Sequence, residues 1–426
     1  MRDMRESGVE WIGSVPVSWQ TLTIGSLFKV RNEKVNDTDY PPLSVTKGGI
    51  VPQMENVAKS DANDNRKMVL TNDFVINSRS DRKQSCGVSP LDGSVSLINT
   101  VLYPAKSAPI VPVYLNYLLK NYGFAEEFYR WGHGIVADLW TTRWQEMKSI
   151  LLPVPPVEEQ QQILDAISEQ TEKVDALIAN VQAQIEKLKS YKQSLITEVV
   201  TKGLDPTVPM KDSGFDWIGS IPTHWEKLRV KYIGDTQNGI SKGGEFFGSG
   251  YPFVSYGDVY KNMELPHTVA GLVESTDAER ENYSVKKGDI FFTRTSETIE
   301  EVGFSAVCTE TIDDATFAGF LIRLRPFNDA MTTQYAKYYF RGEHIRRYLV
   351  KEMNLVTRAS LGQGLLKAMT VLIPPYEEQI AIAEYLDGKC RQIDRLIAIK
   401  QAKIEKLEQY KRSLIYEYVT GKREVV

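Results

Sequence analysis

Trp11-Ile12-Gly13-Ser14-Val15-Pro16, closed by Trp19, returns as Trp217-Ile218-Gly219-Ser220-Ile221-Pro222, closed by Trp225. Pro155-Pro156-Val157-Glu158-Glu159-Gln160 returns as Pro374-Pro375-Tyr376-Glu377-Glu378-Gln379. Internal repetition constrains architecture more than any local propensity, because each copy must fold in a similar way. The chain therefore reads as two similar halves with two similar sites on one polypeptide.

The second motif opens a long repeat in perfect register, with a shift of 219 residues (374 − 155). The shift takes Asp175 to Asp394, Ile185-Glu186-Lys187-Leu188 to Ile404-Glu405-Lys406-Leu407, and Ser194-Leu195-Ile196 to Ser413-Leu414-Ile415. The Glu pair after Pro-Pro places negative charge where a helix N-terminus favours it. Apolar residues then recur at three- and four-residue steps: Ile163, Ile167, Val174, Leu177, Val181, Ile185, Leu188 and Leu195 in the first copy. The second copy has Ile382, Leu386, Ile393, Leu396, Ile404, Leu407 and Leu414. This spacing predicts two helices of about 40 residues, each about 60 Å long. A stripe in two copies suggests that the helices pack on each other as a coiled coil. The bland alternative is a helix laid on its own globular domain. Ile167, Val174, Leu177, Val181, Ile185, Leu188, Leu195, Leu386, Ile393, Leu396, Ile404, Leu407 and Leu414 are the candidate coiled-coil or partner-docking positions.

The stretches between the motifs are related but diverged. Tyr40-Pro41-Pro42-Leu43-Ser44 resembles Tyr251-Pro252-Phe253-Val254-Ser255, and Asp73-Phe74-Val75-Ile76 resembles Asp289-Ile290-Phe291-Phe292. The runs 95–102 and 319–324 read as strands, and 113–119 and 334–340 as short helices. The fold class expected is α+β: two tandem mixed α/β domains, each followed by a long helix. The expected divisions are 1–152 for the first domain with its N-terminal segment, 153–202 for the first helix, 203–216 for a linker, 217–372 for the second domain, and 373–426 for the second helix and C-terminus.

With 42% hydrophobic and 25% charged residues the composition is that of a soluble globular protein. No apolar run approaches the roughly 20 residues of a membrane span. The charged N-terminus has no apolar core of a secretory signal. Cys86, Cys308 and Cys390 are too few and too scattered for a disulfide framework, which points to a reducing cytoplasm. A net charge of −4 argues against a simple basic DNA-coating protein, though not against local basic patches.

The W-I-G-x-[VI]-P-x-x-W motif, the P-P-x-E-E-Q helix start and Thr201-Lys202-Gly203-Leu204-Asp205-Pro206 together resemble the specificity (S) subunit of type I restriction-modification systems. Each motif alone is weak; order, duplication and spacing make the resemblance specific across nearly the whole chain. It implies that the diverged cassettes are target recognition domains, each reading one half of a split double-stranded DNA sequence. It implies that the helices form an antiparallel coiled coil with pseudo-two-fold symmetry, holding the domains apart across an unread spacer. It further implies two docked methyltransferase (M) subunits that use S-adenosylmethionine on adenine, and restriction (R) subunits, when present, that use ATP with Mg2+. No cofactor or metal and no catalytic residue is expected in this chain. The alternatives are a modification-only or type IIB-like system, and a coiled-coil scaffold that does not bind DNA.

The residues accord with that implication. No P-loop is present, and His133, His224, His267 and His344 show no metal-ligand spacing. Ile373-Pro374-Pro375-Tyr376 imitates an adenine-methyltransferase motif but lacks the polar first residue that the chemistry requires; it is a helix start. Candidates for DNA contact are loop Arg, Lys, Asn, Gln and Ser. They are Lys47, Asn77, Arg79, Arg82, Lys83, Gln84 and Arg143 in the first domain. In the second they are Ser241, Lys242, Arg294, Ser296, Arg358 and Gln363. Arg suits guanine, Gln and Asn suit adenine, and Lys, Ser and Thr mostly hold phosphates. Arg79 and Arg294 lie at nearly matching places after their strands. The bland reading of any one of these is a solvated loop residue. Trp11, Trp19, Trp217 and Trp225 read as packing residues, whereas Tyr256 and Trp140 suit either stacking or packing.

Overall fold

The computed structural model describes residues 2–53, 65–79, 83–134, 140–296, 301–352 and 359–425. It divides into two compact units. One contains Met1–Gln182 and Ala402–Val426, the other Ala183–Gln401. The long helices Val157–Lys202 and Tyr376–Val419 each contribute one stretch to each unit.

Each unit is built around the same four-stranded antiparallel sheet. In the first the order is Cys86–Val88, Phe74–Asn77, Asn99–Pro104, Phe28–Val30; in the second it is Ser305–Val307, Ile290–Thr293, Leu321–Pro326, Gly234–Asn238. The central strands Phe74–Asn77 and Ile290–Thr293 are β-branched and aromatic and buried almost throughout, as strands covered on both faces should be. Short helices cover each sheet. Asn121 and Thr332 start two of them by accepting from the backbone N–H of Phe124 and Tyr335.

The preserved motifs have defined mechanical roles. Gly13 and Gly219 have φ near +68° and +78°, which a side chain would strain. Each turn packs its two tryptophans inward; Trp11, Trp19, Trp217 and Trp225 are all buried. Each turn is also flanked by a two-stranded ribbon, Met4–Glu6 with Ser14–Pro16 and Met210–Asp212 with Ser220–Pro222. The stretch 203–216, read above as a linker, thus contains a strand. Met4-Arg5-Glu6 and Met210-Lys211-Asp212 extend the repeat further than the tryptophan motif alone suggests. The glutamine of the second motif is a fully buried clamp. Gln160 Nε2 donates to Pro109 O and Pro155 O, and its Oε1 accepts from Val111 N; Gln379 does the same with Ala330 O, Pro374 O and Thr332 N.

The two ends of each cassette are zipped together. Leu151–Val154 pairs with Gln20–Thr23, and Thr370–Ile373 pairs with Glu226–Arg229, both antiparallel. Each cassette is therefore a closed loop of chain set on a constant base.

That base is completed by the end of a long helix. In the second unit Ile196, Val199 and Val200 enter the core beside Trp217, Ile221 and Trp225. In the first, Leu414, Tyr418 and Val419 enter the core beside Trp11, Val15 and Trp19. A tyrosine hydroxyl holds each helix end: Tyr335 donates to Val200 O at 3.0 Å and Tyr114 to Val419 O at 3.2 Å. Within each unit one ion pair joins the long helices, Lys192 with Asp394 (2.7 Å) and Lys411 with Asp175 (2.6 Å). The two pairs are related by the same 219-residue shift. They are half-exposed and contribute at most about 1 kcal/mol each, so they bear on register more than on stability.

Two sequence expectations change. The run 95–102 is not one strand: Gly93–Val95 ends, a turn occupies 96–99, and the next strand is Asn99–Pro104. The run 319–324 likewise begins with a turn, and its strand is Leu321–Pro326. On the helical stripe Ile167, Val174, Val181, Ile185, Leu386, Ile393 and Leu414 are buried, and Leu188, Leu195, Ile404 and Leu407 are half-buried. Leu177 and Leu396, repeat equivalents of each other, are about half exposed (49% and 47%).

His344 illustrates how the copies diverge inside the core. It is fully buried, lies parallel to Trp217 at 6.3 Å and edge-on to Tyr339 at 4.7 Å, and neither ring nitrogen has a hydrogen-bond partner among the described residues. The first unit has Gly123 against Trp11 at the corresponding place. Burial, helped by Arg347, pushes the imidazole from 6.5 down to about 3.

Two outcomes follow from this packing. Leu414→Ala removes a buried side chain from the first unit and should cost that unit about 2–5 kcal/mol. The second unit should remain folded, and limited proteolysis should then cut within 1–152 first. Below pH 6.5 the unfolded chain takes up a proton at His344 that the folded chain refuses. The stability present above pH 6.5 is therefore lost progressively as pH falls toward about 3. In thermal melts against pH, His344→Phe should flatten that acid-side decline; parallel curves for variant and wild type would show that His344 does not contribute to it.

Candidate functional site

In both cassettes the chain reaches the surface just beyond the buried central strand, beside an incoming loop. In the first unit Asn77 ends the strand, and its Oδ1 accepts from Arg79 N at 3.0 Å. The backbone of Arg79 bridges to that of Thr141, and Thr142 N donates to Ser78 O. In the second unit Thr295–Ser296 pairs with Ala359–Ser360, and Leu361 N donates to Arg294 O. These bonds make Arg294 the equivalent of Ser78 and Arg79 the equivalent of Thr295. The two arginines read as matching in the sequence are therefore offset by one residue.

The first site is a narrow cleft lined by Asn77, Arg79, Lys83, Gln84, Tyr129 and Trp140, among others. Four sequence candidates that lie close in the chain thus converge on one surface. Trp140 packs against Tyr129 with ring centres 5.6 Å apart, and its indole N–H donates to Tyr129 O. Lys83 is not a free cation: its ammonium lies 4.1 Å from the centre of the Tyr129 ring and 3.0 Å from Glu126. Gln84 holds a φ of +62°, unusual for a residue other than glycine. Arg79 and Arg143 are exposed, the latter just before the short helix Trp144–Met147. Lys47 is exposed at the tip of the hairpin Leu43–Thr46 and Gly49–Pro52, outside the residues that line the cleft. Arg82 lies outside the described residues.

The second site assembles differently. Arg294 is half-buried and its Nη1 reaches Gly319 O at 3.5 Å. Gly319 also carries the close approach of Ile240 and Ser241; a β-carbon there would collide with Ser241 Oγ. Arg294, Ser241 and the turn at 318–321 therefore form one surface. Ser296 donates to Glu301, which also accepts from Tyr260 and holds that phenol above its ordinary range. Tyr256 stacks on Tyr260 at 5.8 Å. Two candidates have other partners. Lys242 is paired with Glu279 at 2.8 Å, which lowers the carboxyl of Glu279, and the Gln363 amide oxygen accepts from Thr236. Arg358 lies outside the described residues.

Sequence reasoning missed Tyr129 and Glu126, which hold Lys83 from a distant helix, and Glu301, which accepts from Ser296 five residues earlier. It also missed the two turns before the long strands, because their apolar residues look like strand.

Among the described residues there is no group of three side chains suited to hold a metal ion, and no helix long and apolar enough to cross a membrane. Burial pushes the Cys86 and Cys308 thiols up to about 12, which makes them poor nucleophiles.

Residues 222–409 match the family described as type I restriction modification DNA specificity domain. The chain is 27% identical over 276 residues to the type I restriction enzyme MjaVIII specificity subunit of Methanocaldococcus jannaschii, an alignment spanning 65% of this chain and 62% of that one. It is 24% identical over 448 residues to the putative type I restriction enzyme MjaX specificity subunit of the same organism, spanning 96% and 95%. A solved structure described as showing complex assembly and conformational transition of the type I R-M system shares the fold. Its TM-score is 0.66 at 17% identity, with 96% of this chain and 99% of that chain covered.

Proposed function

We propose that this chain, similar to specificity subunits of type I restriction-modification systems, is itself a non-catalytic DNA sequence-recognition subunit. Each cassette reads one half of a bipartite double-stranded target. The observation that carries this reading is the contrast between frame and cassette. The tryptophan turn, glutamine clamp and helix plug are the same in both units, while the surfaces at Arg79 and Arg294 are built from different side chains. A constant frame with two different readers suits a target of two different halves. Direct readout comes from side chains that can reach base edges, such as exposed Arg79 and Arg143, and Arg294 with Ser241. Lys83, Lys242 and Gln363, engaged within the chain, act by shaping the surface.

The long helices pair as an antiparallel coiled coil that sets the unread spacer. Contacts within the second unit support this: Lys192 meets Asp394 and Gln184 meets Lys400, so one helix descends as the other ascends. Exposed Leu177 and Leu396 are part of the surface that docks two adenine-methyltransferase subunits, which bring S-adenosylmethionine. Restriction subunits, where present, bring ATP with Mg2+. The assembly works in the cytoplasm.

Methylation mapping tests this reading. Cells carrying this chain with its methyltransferase should show a split adenine-methylated motif, and both halves should vanish together when the chain is removed. Exchange of 20–152 for another first cassette should change one half only, because its boundaries fall in the paired strands that close the loop. Unchanged methylation with a folded chain, or a change in both halves on exchange, contradicts the proposal.

A further inference from the structure

The turns that interrupt the apolar runs are the least expected feature of the sites. In the first unit Asn99 N donates to Ser96 O at 3.0 Å; in the second Leu321 N donates to Ala318 O at 2.9 Å. They are the same turn, immediately before the same strand. Turn centres favour Gly, Asn, Asp, Pro or Ser. Here the central residues are Leu97-Ile98 and Gly319-Phe320. Leu97 and Ile98 are each 41% exposed, and Phe320 is 64% exposed. Phe320 thus leaves most of its ring in solvent, and Leu97 and Ile98 leave a large share of their side chains there.

The tips are held from below. Ser78 N donates to Ile98 O, and Arg294 N donates to Phe320 O at 2.8 Å, so each tip is bonded to the first residue beyond the central strand. Each also has a cation at its base. Lys67 Nζ donates to Asn99 O at 2.7 Å, and Arg294 Nη1 reaches Gly319 O. An exposed apolar tip on a fixed backbone, with positive charge at its foot, has the chemistry of a wedge. The apolar part meets base faces or edges, and the cation beside it adds positive charge that favours the polyanionic duplex.

The geometry points to these turns as paired base-contacting wedges: Phe320 stacks against a base of the second half-site, and Leu97 with Ile98 makes an aliphatic contact in the first. The inference rests on the DNA-reading function proposed above. The two tips differ in residue type, Leu-Ile against Gly-Phe, whereas the frame motifs Trp-Ile-Gly-Ser and Pro-Pro-x-Glu-Glu-Gln are kept in both halves. A partner common to both halves would require the same tip twice; two different half-sites require different tips.

The test uses the full chain in complex with its methyltransferase subunits. The probes are a duplex carrying the motif found by methylation mapping, with 2-aminopurine placed in turn through each half, and a scrambled duplex. Phe320→Ala should weaken binding to the motif duplex roughly 10-fold or more, the scale of one lost base–aromatic stack. It should abolish the 2-aminopurine signal in the second half only, with Phe320→Trp restoring it. Leu97→Ser with Ile98→Ser should affect the first half only. Thermal melts check that these exposed positions leave the fold intact. The inference is overturned if Phe320→Ala binds the motif duplex like wild type. It is also overturned if the variant instead loses its methyltransferase subunits, which would make the tip a protein contact. A wild-type complex that does not prefer the motif duplex to the scrambled one overturns the DNA-reading function itself.

Discussion

The burial of each long helix's last turns in a cassette core is the constraint on which the rest of the structure depends. Ile196, Val199 and Val200 do this in the second unit, and Leu414, Tyr418 and Val419 in the first. The tryptophan turns give these side chains a surface, and Tyr335 and Tyr114 satisfy a carbonyl near the helix end that would otherwise be buried without a partner. In the first unit the contact closes a very long loop: Tyr416 at the end of the chain donates to Trp11 O near its start. Burial of several large apolar groups offsets the entropy of that closure, which grows only slowly with loop length.

The frame leaves the cassettes free to vary. Strand pairs at Gln20–Thr23 with Leu151–Val154 and at Glu226–Arg229 with Thr370–Ile373 bring the two ends of each cassette together. What lies between can change without moving the base. The arginine clamps show the same freedom. Asp73 and Asp289 occupy the same buried place before the central strand, yet Arg31, just after the strand Phe28–Val30, neutralises one, and Arg325, from the strand Leu321–Pro326, neutralises the other. A buried carboxylate needs a partner, but the fold accepts it from either side.

The sites follow from this division. The central strand is buried, and the residues just beyond it reach the surface with side chains that differ between the units. Arg79 and Arg294 are delivered by this device one residue out of step, and different neighbours decide their exposure. Glu126 holds Lys83, Glu279 holds Lys242 and Thr236 engages Gln363, which separates surface-shaping residues from those free to reach a ligand.

By itself the sequence determined the duplication, the two long helices and the mixed α and β character of each half. These depend on periodicity and on motifs whose spacing is local. It also grouped Asn77, Arg79, Lys83 and Gln84, which lie close together in the chain and line one candidate cleft. Only the tertiary structure decided which residues are engaged, since Glu126, Glu279 and Thr236 come from distant elements. The apolar runs 95–102 and 319–324 depart from continuous strand for a related reason. Leu97-Ile98 and Phe320 have strand-like side chains, but a backbone bond back to Ser96 or Ala318 turns the chain there. Whether an apolar residue is buried is set by what packs over it, and over these tips this chain places nothing that buries them.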